Sequence, residues 1–137
     1  MKIFIDSSAF IALADKTDQY HPQAKEYFAT QLVQKTRLIT SNFITCETVT
    51  YLRLRVSHQS AVHFWENLHQ SRLISILGIS VDLEEKAFQI LKRFKDKDFS
   101  FTDCTSFALM ESRALGTAFG FDDHFRQFGK FQLEPVT

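Results

Sequence analysis

An α/β fold, with a mostly parallel sheet covered by helices, is predicted by three features of the sequence. Short apolar runs alternate with longer segments of helical period. Hairpin signals are few, and the chain holds only four Gly and two Pro. Strands separated by helices are joined by crossovers, which makes neighbouring strands parallel. At 137 residues the chain can bury one core and is too short for two ordinary ones, so one domain over residues 1–137 is expected.

The elements follow in order. Lys2-Ile3-Phe4-Ile5 reads as a buried strand ending at Asp6, with Ser7 and Ser8 capping a short helix through Leu13. Pro22 suits the first turn of a second helix with the stripe Ala24, Phe28, Leu32. Arg37-Leu38-Ile39-Thr40 is the next strand, and a helix from Asn42 places Ile44, Thr48, Tyr51 and Leu52 on neighbouring positions. Another helix runs from about Ser57 to Ser71, with Ala61, Phe64, Trp65 and Leu68 at helical spacing. Leu73–Leu77 is a strand closed by Gly78, and Ser80 caps the helix that follows. That helix carries the stripe Leu83, Ala87, Ile90, Leu91, Phe94, with acids first and bases last, as the helix dipole favours. A helix from Thr102 should end near Gly116, a strand Thr117-Ala118-Phe119 should run toward Asp122, and Phe131-Gln132-Leu133 should form an edge strand before Pro135.

Composition removes several function classes. Sixteen Lys+Arg against sixteen Asp+Glu give a formal net charge of +0, which argues against a histone-like polycation but leaves room for a local basic strip. Fifteen Phe point to a bulky core, with an apolar patch left over for a partner. Two cysteines, Cys46 and Cys104, make neither a disulfide framework nor a zinc site and read as buried reduced thiols. No apolar run approaches the ~20 residues of a membrane-spanning helix. The apolar stretch before Asp6 is too short for a signal peptide, so a cytoplasmic location is expected. No Gly-rich phosphate loop is present.

The carboxylates carry the functional signal. Asp6 follows the first strand, where α/β folds place their sites, although Asp is also a good helix cap. Glu47 shares a helix face with Ile44 and Tyr51, and an inward carboxylate is costly unless paired or metal-bound. Asp103 belongs to Ser100-x-x-Asp103, a variant capping box, yet it also heads an inward stripe with Phe107 and Met110. Asp122 and Asp123 follow a later strand. A parallel sheet can gather such positions at one edge, where the acids repel unless a cation joins them. Hard oxygen ligands without a Cys or His cluster suit Mg²⁺ or Mn²⁺.

These residues resemble the PIN domains of the VapC-like toxin ribonucleases over essentially the whole chain. Ile3–Phe10 is similar to the family's opening strand, first acid and small polar pair, and the stretch from Ile11 through Asp18, His21 and Ala24 resembles the segment that follows. Glu47, after Asn42-Phe43-Ile44-Thr45, matches the second acid. Phe101-Thr102-Asp103 with Ser106, Ala108 and Leu109 matches the third, and Thr117–Phe125 resembles the last motif, with Asp122 as fourth acid. One departure is Gly120, which stands where the family often has Thr, Ser or Asn. It questions the role of Asp122 and offers Asp123 as the alternative acid.

The resemblance implies a three-layer α/β/α sandwich, a Mg²⁺- or Mn²⁺-dependent endoribonuclease leaving 3′-hydroxyl and 5′-phosphate ends, frequent homodimers, and control by a VapB-like antitoxin. On this reading Asp6, Glu47 and Asp103 hold one or two ions and Asp122 completes the outer edge. Ser8 either steadies a ligand or satisfies the helix start. His124 reads as a structural or solvent-facing turn residue rather than a general base. Arg53 and Arg55, on the Glu47 helix, are candidates for gripping RNA, as are Lys92, Arg93, Lys95 and Lys97 before Asp103 and Arg126 and Lys130 after Asp122; solvated helix ends are the alternative. The competing function is a catalytically quiet PIN domain that binds RNA or protein as a scaffold. Aspartyl phosphatases need a second Asp where Ser8 stands, and phospho-receivers need an acid closing the Leu73–Leu77 strand, so both rank lower.

Overall fold

A computed structural model describes residues 1–136. The elements run β1 (Lys2–Ile5), α1 (Ser7–Ala14), α2 (His21–Val33), β2 (Arg37–Ser41), α3 (Asn42–Arg55), α4 (His58–Gln70), β3 (Ile74–Leu77), α5 (Val81–Arg93), α6 (Phe101–Ser112), β4 (Thr117–Phe119), α7 (His124–Phe128) and β5 (Gln132–Glu134). The strands form one all-parallel sheet in the order β3-β2-β1-β4-β5. Right-handed crossovers that step outward from β1 to β3, then back across to β4 and β5, put α1–α4 on one face and α5–α7 on the other. The aromatic contacts agree: Phe119 meets Tyr27 of α2, while Phe4 meets Phe125 of α7. The sandwich has the three layers expected. Strand order reverses direction between β1 and β4, and the crevice beyond their carboxyl ends is where open α/β sheets place sites.

The core explains most of the phenylalanines. Phe99, Phe107, Phe125 and Phe128 pack as a ring cluster on the α5–α7 face. Among large exposed hydrophobics, Phe88 is the one phenylalanine, so the Phe excess builds core rather than a partner surface.

Several local expectations change. Asp6, not Ser7 or Ser8, caps α1, accepting from the Ser8 N–H. On α2 the buried partner of Ala24 is Gln31, held by Thr36 Oγ1, while Leu32 turns outward. Tyr51 and Trp65, read as stripe residues, are 42 % and 43 % exposed; Trp65 lines a hollow between α3 and α4 and stacks on His69. Leu73 lies outside β3 and is exposed, and Phe131 precedes β5. Cys104 is buried but Cys46 is exposed. Helix α6 ends before Gly116: Ala114 takes a φ of 54°, the Leu115 N–H bonds the Met110 carbonyl, and the Ala114 N–H bonds that of Glu111. This is a Schellman closure, with Leu115 and Met110 buried together. Helix α7 has no counterpart among the elements the sequence predicts, since five residues carry too little period to declare a helix.

Candidate active site

Asp6 leaves the end of β1 and is 2 % exposed. Its Oδ2 accepts from the Ser8 N–H at 3.1 Å and from Ser8 Oγ at 2.6 Å. Burial, opposed by these bonds and reinforced by the charges of Asp103 and Glu47, pushes its pKa from 3.8 up to about 7. Ser8 Oγ also accepts from the Phe121 N–H at 2.9 Å. One hydroxyl therefore joins the β1–α1 junction to the loop after β4.

Glu47 reaches the same edge from α3, which starts directly at the carboxyl end of β2. Ser7 Oγ donates to its Oε2 at 2.8 Å. Burial raises its pKa, against the Ser7 bond, and the charges of Asp103 and Asp122 raise it further. Asp103 sits in the first turn of α6. The capping box is real: its N–H bonds Ser100 Oγ, and its Oδ2 accepts from the Ser100 N–H, both at 3.0 Å. The same Oδ2 lies 2.7 Å from His124 Nδ1, which donates to the carboxylate. Burial raises the Asp103 pKa foremost, and the charge of Asp122 adds to it, whereas the Ser100 N–H and His124 pull it down. Cap and site are here one side chain.

Asp122 accepts from the His124 N–H at 3.0 Å and lies 3.2 Å from His124 Nδ1. Asp103, Asp122 and His124 offer ligand atoms that all lie within 4.8 Å of one another. Asp6 and Glu47 lie near enough to this group for charge to act between them: Asp103 and Glu47 raise the pKa of Asp6, and Asp103 and Asp122 that of Glu47. Asp123 does not join them; it is exposed and bonds Arg126 at 3.0 Å.

Sequence reasoning underrated His124. Its signal was the Asp122-x-His124 spacing, which reads as an ordinary turn until α6 brings Asp103 alongside. Gly120 also gains an explanation. A Cβ there would stand 2.9 Å from Ser8 Oγ and 3.1 Å from Asp6 Cβ. Ser8 fills the space in which a side chain at 120 would lie, so the departure carries no sign of a disabled site.

Of the two candidate RNA-gripping arginines, Arg55 shares with Glu47, Phe43, Tyr51 and Thr102 a cavity of about 600 Å³. Arg53 lines a separate hollow with His58, Trp65 and Glu66 between α3 and α4. Of the six other expected cations, three have carboxylate partners, Lys97 with Asp96, Arg126 with Asp123 and Lys130 with Glu111, and two lie over aromatic rings, Lys92 at Phe88 and Arg93 at Phe94.

The donor set fits a hard divalent cation. It consists of carboxylates held by hydroxyls and backbone N–H groups, and their burial and mutual repulsion raise the pKa of three of them.

Comparison with known proteins agrees with the geometry. The family model described as PIN domain matches residues 3–131. The 23S rRNA-specific endonuclease VapC20 of Mycobacterium tuberculosis is 33% identical over 133 residues, covering 97% of this chain and 98% of that protein. The crystal structure of that VapC20, described as a sarcin-ricin loop cleaving toxin, superposes with a TM-score of 0.86 at 32% identity, over 97% of this chain and 99% of that one. FitAcB from Neisseria gonorrhoeae (TM-score 0.71, 14% identity, 97% and 96% covered) and DNA-bound VapBC2 from Rickettsia felis (0.68, 11%, 98% and 98%) share the fold.

Proposed function

This chain belongs to the PIN-domain family, and from that premise we propose that it is a Mg²⁺- or Mn²⁺-dependent endoribonuclease, the toxin of a VapBC-type pair. The observation that carries the reading is the mutual charge coupling of Asp6, Glu47, Asp103 and Asp122, which come from four separate places in the chain.

These four carboxylates are the residues that would hold the ion. When bound, the divalent cation supplies water activation and charge neutralisation at a scissile phosphate. The protein's part is to fix the donors. Ser8 holds Asp6 through Oδ2 and leaves its Oδ1 without a protein partner among the described residues. Ser7 orients Glu47, and the Ser100 N–H with His124 orients Asp103. His124 keeps a proton directed at Asp103 and so favours its anionic form. A cation held by these acids would offset the mutual repulsion that raises their pKa values.

The activity of the similar VapC20 directs the first substrate to try, 23S rRNA. That relative's being a toxin, and the fold shared with VapBC2 and FitAcB, support a VapB-like antitoxin as partner. We also propose a homodimer. Among the described residues no helix is long and apolar enough to cross a membrane. The scaffold alternative rested on Gly120, and the Ser8 hydroxyl removes that support.

The test is cleavage of purified 23S rRNA, mapped at its new 5′ ends. Cleavage is expected with Mn²⁺ or Mg²⁺, absent in EDTA, and reduced at least about 100-fold in Asp6→Asn and Asp103→Asn, on the scale of removing a group that stabilises charge in the transition state. Undiminished cutting in EDTA would refute the reading.

A further inference from the structure

The sharpest charge feature outside the acidic crevice is a basic cleft at the amino-terminal edge of β1, β2 and β3. Five exposed cations line it: Lys2, Lys35, Arg37, Arg72 and Arg113. They come from separate places in the chain, yet the topology brings them to one edge. Lys2 and Arg37 are the first residues of β1 and β2 and stand in register. Arg72 precedes β3, Lys35 precedes β2, and Arg113 follows the last turn of α6. No Asp or Glu lines the cleft, and among the described residues none of the five takes part in an ion pair. What sets them apart from the other cations is their gathering around one cleft without a carboxylate among its lining residues.

The cleft, of about 530 Å³, continues along the open face of β2 and β3 past Ile39 and Ser75 to Leu77. Phe4, in register with Ile39, is covered by Phe125, whereas Ile39 and Leu77 are only half-buried. Leu77 pairs with Ser41, the residue before the Glu47 helix. A track about 15 Å long, from the rise per residue of a strand, thus leads from five unpaired cations to the carboxyl edge where the acids lie. In a chain of net charge +0, such segregation leaves one edge positive and the other negative. Like charges massed without a counter-ion destabilise the folded chain, and a polyanion relieves them. Three of the five are arginines, whose planar fork matches phosphate oxygens.

We propose that this cleft binds the phosphate backbone of the RNA substrate and leads the strand toward the acidic crevice. The identity of the polyanion rests on the ribonuclease reading; the existence of an anion-binding track does not.

The test is fluorescence anisotropy of a fluorescein-labelled single-stranded oligoribonucleotide, titrated in EDTA at several salt concentrations. Arg37→Gln/Arg72→Gln/Arg113→Gln should weaken binding about tenfold or more at low salt. It should also lower the slope of log affinity against log salt by about 2, since each phosphate contact on a single strand contributes about 0.7. Lys16→Gln/Lys25→Gln/Lys86→Gln, which loses the same charge elsewhere, should change neither by as much. Calorimetric Mn²⁺ affinity of the arginine variant should match wild type, which excludes a folding defect. Equal affinity and slope in the two triple variants would overturn the cleft, even with Mn²⁺-dependent cleavage by wild type intact. Loss of RNA binding in the arginine variant alone would uphold it, even if no RNA were cut. Tighter binding of a labelled polyglutamate than of RNA would also overturn it, in favour of an acidic protein partner.

Discussion

At position 120 a single missing Cβ decides how the crevice is assembled. Ser8 Oγ stands 2.9 Å from where that atom would be, and the same hydroxyl bridges Asp6 and the Phe121 N–H. Two side chains cannot share this volume, so Ser8 and Gly120 form a matched pair. Gly120→Ser should overpack the site, cost about 1–3 kcal/mol, and weaken Mn²⁺ binding. Ser8→Ala should also weaken it, by releasing Asp6. Ser8→Ala/Gly120→Ser should lie nearer wild type than the two losses summed, because the new hydroxyl enters the vacated space beside Asp6. Urea unfolding and Mn²⁺ calorimetry on the four proteins measure the coupling, and strict additivity would dissolve the pair. The sequence exposed Gly120 as unusual. It held no hint of what faced it, since residues 8 and 120 meet only through the pairing of β1 with β4.

Helix α6 does two things with its first turn. Ser100 and Asp103 close a capping box, and the fixed Asp103 is the acid that meets His124. Ser100→Ala removes the acceptor of the Asp103 N–H and should cost about 1 kcal/mol. It should also loosen the carboxylate and lower Mn²⁺ affinity, with Ser100→Thr restoring both. A stability loss with unchanged Mn²⁺ affinity would make the cap purely structural. Local pattern supplied the cap, but left open whether Asp103 was cap or ligand, because both roles leave the same Ser-x-x-Asp trace. Helix α7 shows the opposite limit. Its five residues form a helix because Phe125 and Phe128 are drawn under the ring cluster of α5 and α6, a tertiary force that a short window cannot display.

At the scale of the sheet, Asp6 and Asp122 follow the carboxyl ends of β1 and β4, while five cations line a cleft at the amino ends of β1, β2 and β3. The acidic edge makes stability depend on pH. An acid whose pKa rises from 3.8 to about 7 on folding holds its proton more tightly in the native state. The native protein then carries more protons than the unfolded chain across that interval, and the stability this gives below about pH 4 is lost as pH climbs to about 7. The raised pKa values of Glu47 and Asp103 act in the same direction. In EDTA, wild type relative to Asp6→Asn should therefore be less stable at pH 8 than at pH 5, by about 2 kcal/mol. Mn²⁺ at pH 8 should raise wild type and spare the variant. Urea midpoints at the two pH values check this, and a wild-type-to-variant difference independent of pH would contradict it.

By itself the sequence determined the alternation of strands and helices, hence the parallel sheet. It also set four carboxylates in the order of the PIN-domain pattern. Periodicity, caps and the placing of acids after strands are local properties, written within a few residues of one another. Only the tertiary structure decided that Asp123 turns away to Arg126 while His124 joins Asp103. It alone matched Ser8 to Gly120 and gathered Lys2, Lys35, Arg37, Arg72 and Arg113 into one cleft. Those outcomes depend on strand order and register, which join residues more than a hundred positions apart through backbone hydrogen bonds. No pattern along the chain records which distant segments will be laid side by side.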